Sequence, residues 1–147
     1  MSNISEVIIK SGTENMDFFK VTEMLTKSFW CSGIGMEEVK KSAFNSALVV
    51  GAFNQQGEQV GFARTISDKT RYAYILDVIV DDNYRNHGIG SKLIQTILNS
   101  PELSDVYQWQ LVTKDAHGFY NKLGFEPVAR AKDLMEIRVA RAEKRSK

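Results

Sequence analysis

Between residues 72 and 98 the chain passes from a strand through a glycine turn directly into a helix. Tyr72, Ala73, Tyr74, Ile75, Leu76, Asp77, Val78, Ile79 and Val80 make an apolar stretch of strand length, rich in β-branched and aromatic residues. Its end alternates, with Leu76, Val78 and Val80 on one face and Asp77 and Ile79 on the other. Leu93, Ile94, Ile97 and Leu98 then recur at helical spacing, and the stripe stops before Pro101. The joining segment, 81–91, carries Gly88 and Gly90. Such a turn leaves several backbone N–H groups unpaired at the positive end of the helix, and the glycines let a phosphate approach with no side chain in the way. Arg85 adds a charge-assisted contact.

The other elements follow from periodicity. Residues 7–10 read as a first strand. Phe18, Val21, Leu25 and Phe29 mark one stripe of a helix over 14–29, and Met36, Val39 and Ala43 suggest a second, short helix after a loop with Gly33 and Gly35. Residues 48–53 and 60–66 are strands joined by the polar turn Asn54, Gln55, Gln56, Gly57, and a turn at 67–70 leads into the strand at 72 to complete an antiparallel meander. Beyond Pro101 a strand is expected over 106–113. Asp115 is expected to cap a helix whose Ala116, Phe119, Tyr120 and Leu123 share a face, and Gly124 stands where a helix C-terminal glycine belongs. Residues 125–128 and 134–139 are expected to complete the sheet. The order describes an α+β layered fold, a mixed sheet with helices on both faces.

Composition narrows the classes. At 147 residues with 43% hydrophobic side chains, the chain is one ordinary domain with a real core, and we expect a single domain over 1–147. The 19 basic and 18 acidic residues leave a net charge of +1, so no broad field favours nucleic acid and any anion site must be local. The basic tail, with Arg138, Arg141, Lys144, Arg145 and Lys147, reads as a solvated terminus. Cys31 is the only cysteine, which precludes an intrachain disulfide or a cysteine metal cluster and favours a reducing compartment. No run approaches a membrane span and the first residues lack the form of a signal peptide, so no membrane partner is expected and the reading is cytoplasmic.

Two nucleotide-binding motifs can be tested on the letters. A P-loop needs a glycine five places before Gly-Lys-Ser/Thr, but the order here is Gly90, Ser91, Lys92, with Arg85 at the wanted glycine. A dinucleotide fingerprint needs a third glycine where Leu93 stands. The strand Val78, Ile79, Val80 followed by Tyr84, Arg85, Asn86, His87, Gly88, Ile89, Gly90 instead resembles motif A of the GNAT N-acetyltransferases, whose core is Arg/Gln-x-x-Gly-x-Gly/Ala. Downstream, Ala116, His117, Gly118, Phe119, Tyr120, Asn121, Lys122, Leu123, Gly124, Phe125 resembles motif B of the same family. The resemblance covers 72–128, while the N-terminal half fits in element order.

That resemblance implies a GNAT-like, mainly antiparallel mixed sheet with a splay between two central parallel strands. It implies an acyltransferase that moves the acetyl group of acetyl-CoA to the amine of a small molecule or peptide by direct transfer in a ternary complex, without a metal. Arg85, Asn86, His87, Gly88, Ile89, Gly90 and Ser91 would hold the pyrophosphate. Val78 and Val80 would hydrogen-bond the pantetheine in the splay, and an amide near Val78 or Ile79 would face the thioester oxygen, where a donor fixed in advance is most effective. Tyr120 takes the place of the tyrosine that protonates the departing thiolate in many members. Its stripe with Ala116, Phe119 and Leu123 also fits a core aromatic or a CoA contact. Asp77, an acid in an apolar strand, is the candidate base, directly or through water, or else pairs with Arg64 or Arg71 across the meander.

Acceptor selection in the family falls to the first helices, their loop and the meander. There Phe29, Trp30, Arg64 and Tyr74 are the candidate substrate contacts, beside Cys31, Phe62, Arg71 and Tyr72. Cys31 reads as a small buried hydrophobe. His87 and His117 lack partners at metal-ligand spacing. Two other functions stay open, a CoA-holding sensor or scaffold without turnover and a protein or ribosomal N-acetyltransferase. Dimerisation is common in the family and a homodimer is compatible with this chain.

Overall fold

The structure, a computed structural model, describes residues 6–140. The basic residues Arg141, Lys144, Arg145 and Lys147 lie outside them. The chain forms two compact units, one ending at Thr113 and one beginning at Lys114.

The first unit is built on a sheet in sequential order, β1 (Ile8–Ser11), β2 (Leu48–Phe53), β3 (Gln59–Ser67), β4 (Tyr72–Val80) and β5 (Gln108–Gln110). The first four are antiparallel neighbours and β5 runs parallel to β4. The meander and its turns stand as the sequence predicts. Asn54 closes the β2–β3 hairpin, its N–H donating to the Glu58 carbonyl at 2.9 Å. Asp68 closes the β3–β4 turn, accepting from the N–H groups of Thr70, Arg71 and Tyr72.

Helices cover both faces, and the sheet shows why. Phe62 packs in one cluster with Val21, Met24 and Leu25 of α1 (Phe18–Thr26) and Val39 and Ala43 of α2 (Met36–Phe44). Its neighbour Gly61 points the other way, where an added Cβ would meet Leu93 and Ile89 of α3 (Ile89–Leu98). Adjacent strand residues face opposite layers, so one strand contributes to both cores. Val21, Leu93, Ile94 and Ile97 are fully buried, each contributing about 1.5–3 kcal/mol through apolar burial.

α1 is shorter than the expected 14–29. A single turn of 3-10 helix at Thr13–Asn15 precedes it, and Asp17 caps it by accepting the Lys20 N–H at 3.1 Å. The cap is coupled to the sheet through Gln59. Its buried Oε1 accepts the Asp17 N–H at 2.8 Å, and its Nε2 donates to the Gly61 carbonyl at 3.0 Å. Both ends of a buried amide are thus satisfied.

The second unit contains α4 (His117–Asn121), with Ala116 at the N-cap and no side-chain cap, so Asp115 does not cap it as expected. Its other end follows the sequence. Gly124 has φ +100, the Phe125 N–H donates to the Tyr120 carbonyl and the Gly124 N–H to the Asn121 carbonyl, the pattern that ends a helix on a left-handed glycine. Three expected strands are corrected. The one at 106–113 shrinks to Gln108–Gln110, and 125–128 and 134–139 form no strand. Alternation shows which side chains would share a face but supplies no ladder partner, and a strand exists through its partner.

Candidate functional site

β4 is paired with β3 along its length but with β5 only at Tyr72, Ala73 and Tyr74, opposite Gln108, Trp109 and Gln110. From Ile75 to Val80 the β5 side of β4 is open, which is the expected splay. The Tyr72 hydroxyl donates to Gln110 Oε1 at 2.7 Å and ties the strands where they still pair.

Within the open stretch β4 bulges. Phe62 opposes Ile79 and Arg64 opposes Leu76, so Asp77 and Val78 together face Ala63. Directly opposed residues share a face, hence Leu76 and Ile79 lie on one face although they are three positions apart. This corrects the regular alternation expected from the sequence, which sets Leu76 and Ile79 on opposite faces. The extra residue is the reason, and Asp77 takes it up with φ +56.

The Asp77 side chain is engaged at both oxygens. Arg64 Nε donates to Oδ2 at 2.6 Å, with the side chains only 13% and 11% exposed, and Cys31 Sγ lies 3.7 Å from Oδ1. Of the two arginine partners the sequence allows, Arg64 makes the pair, while Arg71 donates to the Tyr107 hydroxyl at 3.0 Å. Arg64 also reaches Ser46 Oγ at 3.4 Å, a contact without any sequence signal. Removing one partner of a buried pair costs about 3–5 kcal/mol. A left-handed residue with a Cβ costs about 1–2 kcal/mol. Losing either partner therefore costs more than the strain that the bulge carries. Cys31 is buried, as its sequence reading has it, but it also meets this carboxylate.

β4 ends in the turn that opens α3. Asp81 accepts the Asn83 N–H at 2.9 Å, Asp82–Tyr84 form one 3-10 turn, and the Tyr84 hydroxyl accepts from Asn54 Nδ2 at 3.0 Å. Asn86 and Gly88 are left-handed, at φ +66 and +78. Gly88 caps α3, and the first helical bond there runs from the Lys92 N–H to its carbonyl. The N–H groups of Ile89, Gly90 and Ser91 precede that bond and have no acceptor within the helix. A Cβ added at Gly88 would meet nothing within 4 Å, so the approach to these donors is open. Arg85 and His87 are exposed at the same turn. Arg85 pairs with Asp82 at 2.9 Å, a pair that water screens and a competing anion can replace.

Phe29 and Trp30 stack edge-to-face, ring centres 5.1 Å apart, immediately before Cys31. They are 69% and 39% exposed, so the loop that touches the bulge also presents an aromatic pair to solvent. Tyr74 lies on β4 opposite Ile66 and Gln110. Arg64, expected as a cationic substrate contact, has its charge engaged by Asp77. In the second unit Tyr120 is half-buried, in edge-to-face contact with Phe119 at 4.9 Å and Phe125 at 5.9 Å. Burial pushes its phenol above the usual tyrosine value, which keeps it protonated at neutral pH. Among the described residues no group of three or more His, Cys, Asp and Glu side chains is placed to hold a metal ion.

The family model described as an acetyltransferase (GNAT) domain matches residues 45–127, which spans β2 to the end of α4 and includes both glycine-bearing motifs. The chain belongs to the GNAT acetyltransferase family. A GNAT-family protein of known structure from Xanthomonas campestris pv. campestris is 31% identical and superposes with a TM-score of 0.83, over 91% of this chain and 94% of that one. The histone acetyltransferase TAP1 of Glycine max is 35% identical over 134 residues, 84% of this chain and 57% of that protein. An uncharacterized N-acetyltransferase, ycf52, of Pyropia yezoensis is 25% identical over 122 residues, 80% of this chain and 70% of that one.

In this GNAT domain the sequence reading missed Lys20, whose Nζ lies 2.6 Å from Asp81 Oδ2 and ties α1 to the head of the glycine turn. The partners are 61 residues apart, and no local pattern joins them. Burial works against the Asp81 carboxylate, yet the Lys20 ammonium and the Asn83 N–H hold it below its ordinary value of 3.8. The hydrogen bond to Asp81 in turn raises Lys20. A depressed carboxylate stabilises the fold above its unfolded value and loses that contribution as pH falls through the folded one. Lys20→Met should therefore cost about 1 kcal/mol near neutral pH. The difference from wild type should begin to shrink at about pH 4 and vanish only at lower pH, where Asp81 is protonated in the folded protein as well, as read from urea unfolding of both proteins.

Proposed function

We propose that the protein transfers the acetyl group of acetyl-CoA to the amine of a small molecule or peptide, by direct transfer in a ternary complex. The observation that carries this reading is the open edge of β4 running straight into the uncapped N-terminus of α3. The chain's groups fit such a donor. The N–H groups of Ile89, Gly90 and Ser91 would hold its pyrophosphate, with Arg85, Asn86 and His87 at the rim and Gly88 leaving the approach clear. The backbone of Val78 and Val80, unpaired on the β5 side, would bond its pantetheine, and an N–H near Val78 or Ile79 would meet the thioester oxygen.

The thioester of acetyl-CoA supplies the activated acetyl group. The protein's part is to position it, to hold a donor at the oxygen where charge develops, and to manage two protons. By the resemblance, Tyr120 returns a proton to the departing thiolate, and its raised pKa suits a group that must arrive protonated. Arg64 and Cys31 already engage the two oxygens of Asp77, which supports water as the base and leaves Asp77 a different role. Phe29 and Trp30 support an acceptor with an apolar or aromatic part near its amine. The buried thiol of Cys31, the single cysteine of the chain, supports a reducing compartment, here the cytoplasm.

The test is a thiol-release screen across a panel of amines, with CoA binding measured by calorimetry. Thiol release dependent on one amine class is expected. Absence of CoA binding overturns the reading, and binding with no release across the panel turns it into a CoA-holding protein. Gly90→Glu puts a carboxylate where the pyrophosphate belongs, while an acid in the first turn suits the helix itself. It should lower CoA affinity by about 100-fold or more and leave the thermal midpoint nearly unchanged; retained affinity would move the site elsewhere. Tyr120→Phe should lower kcat by about 100-fold. Because burial raises the phenol, wild-type kcat should fall only above about pH 10, and that fall should be missing in the variant. Equal kcat in both proteins, with chemistry shown to limit the rate, removes Tyr120 from the mechanism.

A further inference from the structure

We propose that Arg64 is a positioning residue which, by holding the Asp77 carboxylate, fixes the bulge of β4 and through it the backbone amides of Val78 and Ile79. The chemical meaning of this rests on the acetyl-transfer reading above, whereas the geometry does not.

The ion pair and the bulge are one event. Leu76 opposes Arg64 and shares its face. On a regular strand the next residue, Asp77, would turn to the opposite face and away from the guanidinium. With Asp77 at φ +56 and an extra residue set against Ala63, the carboxylate instead comes round to Arg64 Nε at 2.6 Å. The bulge also lacks local support, since neither Asp77 nor Val78 is a glycine. Its ties are tertiary, from Arg64 on β3 and from Cys31 in the loop after α1, while Ser46 Oγ meets Arg64 at 3.4 Å.

The position gives the pair its consequence. The bulge lies past the last β4–β5 pair, Tyr74 with Gln110, and so within the open edge. Inserting one residue reverses the edge to which each following backbone group points. The direction of the Val78 amide in the splay, and the turning of Ile79 back toward Phe62 on β3, are therefore decided at Asp77. A donor set aimed at developing charge works by being fixed before the reaction, and a strut that removes the alternative strand conformation does that. Asp77 thereby serves as the held end of a strut.

The test compares Asp77→Ala with Asp77→Gly. Both lack the carboxylate and both leave Arg64 without it, but only glycine takes the left-handed conformation freely. In amide NMR spectra of the ligand-free protein, Val78 and Ile79 should stay close to their wild-type positions in Asp77→Gly and move in Asp77→Ala and in Arg64→Met. The double variant Arg64→Met with Asp77→Gly should bring them back, and it carries the comparison should Asp77→Ala fail to fold. In turnover, kcat of Asp77→Gly should exceed that of Asp77→Ala by about tenfold or more, with KM for acetyl-CoA within about threefold. Asp77→Asn, which tolerates the same conformation and still accepts from Arg64, should rank with or above Gly. Equal kcat losses in Ala, Gly and Asn, with the Val78 and Ile79 resonances unmoved, overturn the strut and make the carboxylate the base. If wild type turns over no amine, the acetyl-transfer reading fails while the spectra still decide the strut.

Discussion

β4 has to satisfy two neighbours that ask for different things. β3 pairs with it from end to end, whereas β5 pairs with it only over its first residues and then leaves. A regular strand would carry one alternation throughout. Here the alternation breaks at Asp77, and the break is held by a buried ion pair to the neighbouring strand. The open edge, the approach to α3 and the placement of the loop with Phe29 and Trp30 all refer back to this point. Cys31 of that loop reaches the carboxylate that keeps the strand bent. A bulge beside an open strand edge re-aims backbone groups without changing any side chain, and this lets the donors be supplied by main chain.

The glycine turn depends on the same frame. Its donors are generic, because the first N–H groups of any helix lack acceptors. What makes them available is that Gly88 is left-handed with open space where a Cβ would stand, and that no side chain caps α3. The turn is in turn tied to the first helix by Lys20 and to the β2–β3 hairpin by Asn54 through Tyr84. Its backbone is thus fixed by contacts distant in sequence, which suits a site that must be formed before its ligand arrives.

Much of this was legible from residues. The bounds 48–53 and 72–80 coincide with β2 and β4, since β-branched and aromatic runs bounded by polar turns leave little choice. Gly124 ended α4 as expected because φ +100 suits glycine alone. The pairing of Asp77 with Arg64 stood among the readings, yet its bulge did not. An unbroken pattern Leu76, Asp77, Val78, Ile79 carries no glycine to announce an irregularity. Asp115 illustrates the opposite error. A good capping residue one position early leaves Ala116 at the cap, and side-chain preference yields to where the backbone turns. The strands expected at 125–128 and 134–139 failed for want of partners, which periodicity cannot supply.

The sequence by itself determined the class of fold, the strand–turn–helix unit with its unpaired N–H groups, and membership of the GNAT family, which the match over residues 45–127 bears out. These are local matters, decided by residue spacing, by glycine freedom and by the charge at a helix end. Only the tertiary structure decided that Arg64 and not Arg71 meets Asp77, that Gln59 locks the start of α1 to the sheet, and that Lys20 holds Asp81 from 61 residues away. Each of those joins groups brought together by packing. A buried amide or carboxylate must find a partner wherever the fold places one, and no spacing along the chain encodes which partner that is.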